Sequence, residues 1–522
     1  MAFRLERLAI NGRGASACSA RFKTSAHQSI DVRRGSMSIA AFRVFRPSQR
    51  ALLAGVCIVT MLLGPSRLAR SEPNTPGAEH SAPHGLEARR FPGSSVLLGG
   101  GAASAPASVT IDPRLPSGAV VTAAERPVAL PAVSCGLHEP VCVHHDARVS
   151  AALAHEYVHA LEQAWRDLVH ALGLPAPLPD LGRGKTAGLD LYLSADAALD
   201  VRVLPDATLG DDPRRSGFCR ARPSRREARR QAALCVAEAL LLGVDAGETP
   251  FLRQAIAAYL WSLIGAPTGR DLAAVDTLQA NPQLSIAGRD VADESAGARL
   301  LFEYVDARLA AGEAGVLPVA LAQLSRSPTP AGALRYANDP DLIDVLRRAF
   351  SESSAGFEDF MLGFAVERAF IGARDDGTHH PKLEGLGELG RVRFDWVLSA
   401  SSLPRRVAPR RPLEAFGCAY SWLDLDRLTL GKAIAFRAEW EAPATFRWAL
   451  LTLDARGKVL GRFELPYVQN ATSAERVLDD YDGAVGVLIV GINLGGVDLA
   501  HPFDPDHEPS EPHGFTLYVT EL

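Results

Sequence analysis

Between Ala232 and Val244 a helix-forming apolar run carries a single charged residue, Glu238. That carboxylate constrains the fold more than any other feature. Among Ala, Leu and Val, a charge is costly to bury unless a partner reaches it. The run lies in the stretch Ser224 to Gly265, which reads as two helices joined by a short turn. Ser224 and Glu227 have the spacing of a capping box, and Gly243 is expected to end the first helix. Thr249-Pro250 is expected to start the second, with Gly265 closing it.

The chain has 522 residues, enough for two or three domains, with 47% hydrophobic and 22% charged residues, as in soluble globular proteins. A net charge of -5, with no pattern of interleaved aromatic and basic residues, excludes nucleic acid as an expected partner. Residues 1–71 read as a leader whose true start is Met37: Arg43, Arg46 and Arg50 precede the apolar run Ala51–Leu63, and Ala69-Arg70-Ser71 offers a cleavage site. No other stretch is expected to enter a membrane. Loss of the leader removes Cys18 and Cys57, and export would permit disulfides among the other five cysteines. Cys135 pairs plausibly with Cys142 and Cys219 with Cys235, leaving Cys418 as a buried thiol.

Residues 72–125 are rich in Pro, Ala, Gly and Ser and read as a disordered linker, with a short strand at residues 119–121. Residues 126–375 are expected to form a mostly helical domain. It begins with a strand at Val141–His144, a long amphipathic helix at Val149–Leu172 and a strand at Leu189–Leu193 (LDLYL). After the two central helices come further ones near Ser295–Ala311, Val316–Leu324, Asp339–Phe350 and Ser354–Phe370. Residues 376–391 read as a linker. Residues 392–522 change to alternating strands at 419–423, 433–440, 449–453, 459–463, 485–492 and 515–519, the pattern of a β-sandwich. The expected fold class is therefore α+β, a helical domain followed by an all-β one.

Two sites invite a metal reading. His155-Glu156-Tyr157-Val158-His159 has the letters HExxH, in which His155 and His159 would hold zinc and Glu156 would act as general base. However, His155, His159, Glu162 and His170 fall opposite the apolar stripe of Tyr157, Leu161 and Leu168, as expected for the solvated side of a surface helix. Other clusters are expected to be solvated: His144-His145, which could join His155 at a surface metal, His379-His380, and the acidic loop from Asp504 to His513.

The second site is the helix pair itself. The order of helix, LDLYL strand, loop, buried helix, turn and helix resembles the core of the gluzincins, the thermolysin-like clan of zinc metallopeptidases. The phrase LEQAWRDLVHALGLPAPLPD before LDLYL, and a β-rich C-terminal region, are similar to secreted members of that kind. The resemblance spans about residues 140–522. It implies that Glu238 stands at the general-base position, Ala237 and Leu241 at the two histidine ligands, and Gln254 at the glutamate ligand. No histidine lies between Ala171 and Thr378 to restore a ligand pair, and Ala and Leu cannot bind zinc. The resemblance thus implies a degenerate member, with Glu238 and Gln254 as vestiges hydrogen-bonded where a metal would otherwise sit. The expected protein is exported, periplasmic or extracellular in a Gram-negative bacterium. It is expected to be inactive and without cofactor, with a protein, peptide or surface glycan as partner. The alternatives are an active zinc metallopeptidase using residues 155–159, or an envelope protein acting through its β-sandwich.

Overall fold

The LDLYL segment is the middle of a five-stranded sheet. Its strands are β2 (Ala132–Cys135), β3 (Val141–His145), β4 (Leu189–Leu193), β5 (Arg202–Pro205) and β6 (Gly217–Ala221), in spatial order β2-β3-β4-β6-β5. β3, β4 and β6 run parallel, while β2 and β5 close the edges as antiparallel strands. Period-two alternation gives the sheet two faces. Val141, Val143, Leu189, Leu191, Leu193 and Ala221 join the main apolar core. That core is shared with α1 (Ala151–Trp165) and α2 (Ala228–Val244). Asp190, Tyr192 and His144 alternate with those residues and are buried on the other side.

This coordinate set is a computed structural model. It describes residues 119–120, 123–127, 130–198, 200–206, 214–288, 292–309, 315–325, 335–336, 342–351, 356–379, 389–425, 432–468, 470–495 and 511–522. The leader with Met37, most of the 72–125 linker, His380 and most of the acidic loop lie outside the described residues. A short strand β1 (Ala119–Val120) pairs with β7 (Arg335–Tyr336).

α1 starts at an N-cap Ser150, whose side chain accepts from the Leu153 N–H, and continues as one π-helical stretch over Arg166–Ala171. The buried α2 begins one turn later than its sequence suggests. Its N-cap is Glu227, which makes no side-chain capping bond, so the Ser224/Glu227 capping box does not form. The Ser224 main chain is taken by Tyr157 instead: the Ser224 N–H donates to the phenol oxygen at 2.8 Å, and the phenol O–H donates to the Gln231 side chain. Gly243 does not end α2 but lies inside it. Thr249 does cap α3 (Pro250–Ile264), accepting from the Leu252 N–H at 3.3 Å, and Gly265 follows it. α4 (Gly269–Ala280), with a capping box at Thr268/Asp271, has no counterpart in the sequence reading. Helices α5 (Arg299–Leu309), α6 (Val316–Ser325), α7 (Leu342–Ser351) and α8 (Gly356–Arg368) complete this part.

The remaining strands form two facing sheets. One contains β13 (Val459–Glu464), β12 (Phe446–Leu453), β15 (Gly486–Asn493), β10 (Cys418–Asp424) and β8 (Trp396–Ser399), in that order. The other contains β14 (Ser473–Leu478), β11 (Ile434–Trp440), β16 (Phe515–Glu521) and β9 (Arg405–Val407). Phe446, Trp448, Leu450, Val487 and Ile489 fill the space between the sheets. β11 alternates buried and open positions, whereas β12 and β15 are buried at every residue. A strand buried on both faces reads as a continuous apolar run, and here the second face belongs to the helical part. Leu451, Leu488 and Val490 pack into the same core as Phe360 and Phe364 of α8. The Tyr420 hydroxyl donates to the Ala365 carbonyl at 2.8 Å. The Arg368 side chain donates to the Gln279 side-chain oxygen at 2.8 Å and reaches the buried Cys418 thiol.

Both plausible disulfides are present, Cys135–Cys142 across the β2–β3 hairpin and Cys219–Cys235 from β6 to α2. The second spans 16 residues. Replacing Cys219 and Cys235 with serine should lower stability by about 3 kcal/mol. Urea denaturation of the variant against the oxidised parent reads this loss, and the reduced parent, which also loses Cys135–Cys142, should lose at least as much.

Candidate functional site

Glu238 lies in the middle of α2 and is buried. Burial pushes its carboxyl up to about 7, and the charges of Arg253 and Arg202 pull it back only in part. Arg253 is its near counter-charge and is itself buried on the first turn of α3. The guanidinium donates to the carbonyl oxygens of Glu248 and Ala246, the latter at 3.4 Å. Glu248 holds the turn between the helices in place, its carboxylate accepting the N–H of Thr249 at 2.7 Å and of Leu342 at 3.1 Å.

The expected Glu238–Gln254 hydrogen bond is not made. The Gln254 side-chain oxygen is buried with no hydrogen-bond partner among the described residues. One residue along a helix turns the side chain by about 100°, so adjacent Arg253 and Gln254 leave α3 in different directions. Glu238 feels the charge of Arg253, and its side chain makes no hydrogen bond to the Gln254 amide. Ala237 and Leu241, beside it on α2, are fully buried apolar side chains.

On α1 the five HEYVH residues divide between two sides. Tyr157 and Val158 are buried, whereas His155 and His159 are exposed. Tyr157 is held inward by Ser224 and Gln231, two residues along from His155 and so about 200° around the helix. Glu156 forms an exposed ion pair with Arg225 at 3.0 Å. Glu162 departs from the solvated face assigned to it: it is buried and accepts the His138 N–H at 2.8 Å. Burial alone would raise its carboxyl, but the N–H groups of residues 137–139 hold it below the usual range. His144 and His145 are also buried, not placed at the surface with His155. His379 stacks on Phe370 and pairs with Asp376 at 2.9 Å. No group of three His, Cys, Asp or Glu side chains able to hold a metal occurs among the described residues.

The densest charged site escaped sequence reading altogether. Arg126 crosses the outer face of the first sheet and meets three aspartates there. Its Nε and Nη2 donate to both Asp206 carboxylate oxygens at 2.8 and 2.7 Å, a bidentate fork, while Nη1 reaches Asp180 at 2.9 Å and also Asp190. Its guanidinium lies 5.0 Å from the Phe218 ring centre. His144 Nε2 and the Thr186 hydroxyl meet Asp190 at 2.8 and 2.6 Å. The side chains of the three aspartates are at most 2% exposed. Burial would lower the guanidinium pKa, but the hydrogen bond and charge of Asp206, then Tyr192 and Asp180, raise it. Burial would raise Asp190, but bonds from His144 and Thr186 and the charge of Arg126 lower it. For Asp180 burial wins and its carboxyl is raised. The partners lie 54 to 80 residues away from Arg126, and no local motif joins them.

No family model matches this sequence, and no curated protein matches it. Among solved structures it is similar to the pre-peptidase C-terminal domain of collagenase from Bacillus anthracis, at 9% identity and a TM-score of 0.17. That match covers 24% of this chain and 97% of that one. It is also similar to the enzymatically active domain of tailspike protein 4 of bacteriophage CBA120, at 10% identity and a TM-score of 0.15, covering 23% of this chain and 18% of that one. At these scores neither similarity carries an argument about fold or activity.

Proposed function

We propose that this is an exported, non-catalytic member of the gluzincin clan whose role is binding. Glu238 carries the reading. At the general-base position implied by the resemblance, the carboxylate is buried opposite Arg253, and Ala237 and Leu241 beside it offer no lone pair to a metal. A general base needs a water or substrate within hydrogen-bond reach; Glu238 instead has a guanidinium for its counter-charge. The Cys135–Cys142 and Cys219–Cys235 bridges and the absence, among the described residues, of a helix long and apolar enough to cross a membrane are compatible with export. The binding partner is a protein, peptide or surface glycan met by the β-sandwich.

The test is metal analysis and casein hydrolysis on the purified chain. The expected result is no stoichiometric zinc and no hydrolysis after addition of zinc. One tightly held zinc per chain, lost in His155→Ala and His159→Ala, would overturn the proposal. It would establish a zinc peptidase with Glu156 as base.

A further inference from the structure

The chain is acidic overall at -5, yet residues 391–411 hold six arginines and one acid, Asp395. This stretch forms β8 and β9, the edge strands at one end of each sandwich sheet. A short turn at Ala400–Ser402 joins them, and the Trp396 indole N–H donates to the Ala408 carbonyl at 2.7 Å. The six arginines of the stretch are all exposed. They therefore form one basic stripe along a single side of the sandwich.

Three guanidiniums along this edge lie over aromatic rings. Arg374 sits 3.8 Å from the Phe394 ring centre, Arg410 5.6 Å from Trp396, and Arg406 5.7 Å from Tyr518. A guanidinium resting on a ring loses little further freedom on binding, and its planar fork matches carboxylate, sulfate or phosphate oxygens. Beside the first pair is a cavity of about 530 Å³, lined among others by Arg374, Arg393, Phe394 and Val397. Val397 is 70% exposed despite being apolar. Single-sign charge on edge strands also discourages sheets from pairing edge to edge. That accounts for charge on β9, but for neither the ring-stacked guanidiniums nor a cavity where arginines meet an apolar floor.

We propose that the β8–β9 edge binds an anionic polysaccharide, with the Arg374–Arg393–Phe394 cavity receiving one charged sugar unit. The row of exposed cations fits a polymer with repeating anionic groups. The cavity volume falls within the range of small-molecule sites, and the two disulfides fit the exported location proposed above, where such glycans occur. This deepens the binding role proposed above. Its test reads neither zinc nor hydrolysis, so the two can fail separately.

The intact chain is titrated with a sulfated and a carboxylated oligosaccharide, with neutral dextran, polyglutamate and single-stranded DNA as comparisons. The charged oligosaccharides should bind, with affinity falling as salt rises. Arg393→Glu with Arg410→Glu should weaken them about tenfold or more, with the thermal midpoint kept. Arg456→Glu, in an exposed turn before β13 at the opposite sheet edge, should leave affinity unchanged. Arg393→Gln with Arg410→Gln provides a milder pair should the charge reversals fold poorly. Failure to bind either oligosaccharide would overturn the proposal, as would equal loss with Arg456→Glu or equal affinity for polyglutamate or DNA. Aggregation of the double variant with unchanged affinity would assign the arginines to edge protection instead.

Discussion

Arg126→Ala should destabilise the protein by about 3–5 kcal/mol at pH 7, the usual cost of removing one partner from a buried ion pair. Asp180, Asp190 and Asp206 would keep their burial and lose the cation that bridges them. The Asp206 oxygens would keep the Ser216 hydroxyl at 2.9 Å, which cannot replace a bidentate guanidinium. The loss should shrink with acid. In the parent, Asp190 is held below the carboxylate range, so its contribution is present above the unfolded pKa of about 3.9 and disappears as pH falls through its lower folded value. Without Arg126 the part of that contribution owed to its charge is lost, while the bonds from His144 and Thr186 remain, and protonating the aspartates relieves their repulsion. Urea denaturation at pH 7 and at about pH 3, below the unfolded carboxylate value, reads both effects. A loss below about 1 kcal/mol at pH 7 would mean that the three carboxylates find water or another partner.

Glu238→Gln should act in the opposite direction. A carboxyl that ionises near 4.5 in the unfolded chain and at about 7 in the fold resists ionisation by about 3 kcal/mol. Below pH 4.5 both states hold the proton, and the substitution should change little. Between 4.5 and 7 the unfolded chain releases its proton while the fold retains it, so parent stability falls as pH rises; above 7 the fall is complete. The glutamine variant lacks this fall and should exceed the parent by about 1–3 kcal/mol at pH 8, the lower value allowing for the counter-charge that Arg253 loses. An equal difference at pH 5 and pH 8 would show that Glu238 is solvated or fully paired.

Much of the architecture was legible because it is written in local pattern. The apolar stripe of α1, the Thr249-Pro250 start of α3, the alternation of β11 and the spacing of Cys219 and Cys235 each depend on neighbours within a few turns or one loop. The strands that escaped, β2, β5, β6, β7, β8, β9 and β14, are short or lie at or next to a sheet edge, where fewer contacts select the side chains. The Ser224/Glu227 capping box failed because a tertiary partner, Tyr157, took the Ser224 main chain. At the candidate site the sequence exposed the oddity of Glu238 but paired it with Gln254, since a vestigial ligand set was the only local guide.

By itself, the sequence determined that α2 would be buried and would carry one carboxylate in need of a partner, because thirteen residues with one charge admit no solvated face. Only the tertiary structure decided which partner that would be. The choice between Arg253 and Gln254 depends on how α3 is rotated against α2, and the Arg126 cluster depends on three strands and loops meeting across one sheet face. Charge pairs between distant segments follow from packing geometry, and one-dimensional spacing does not encode it.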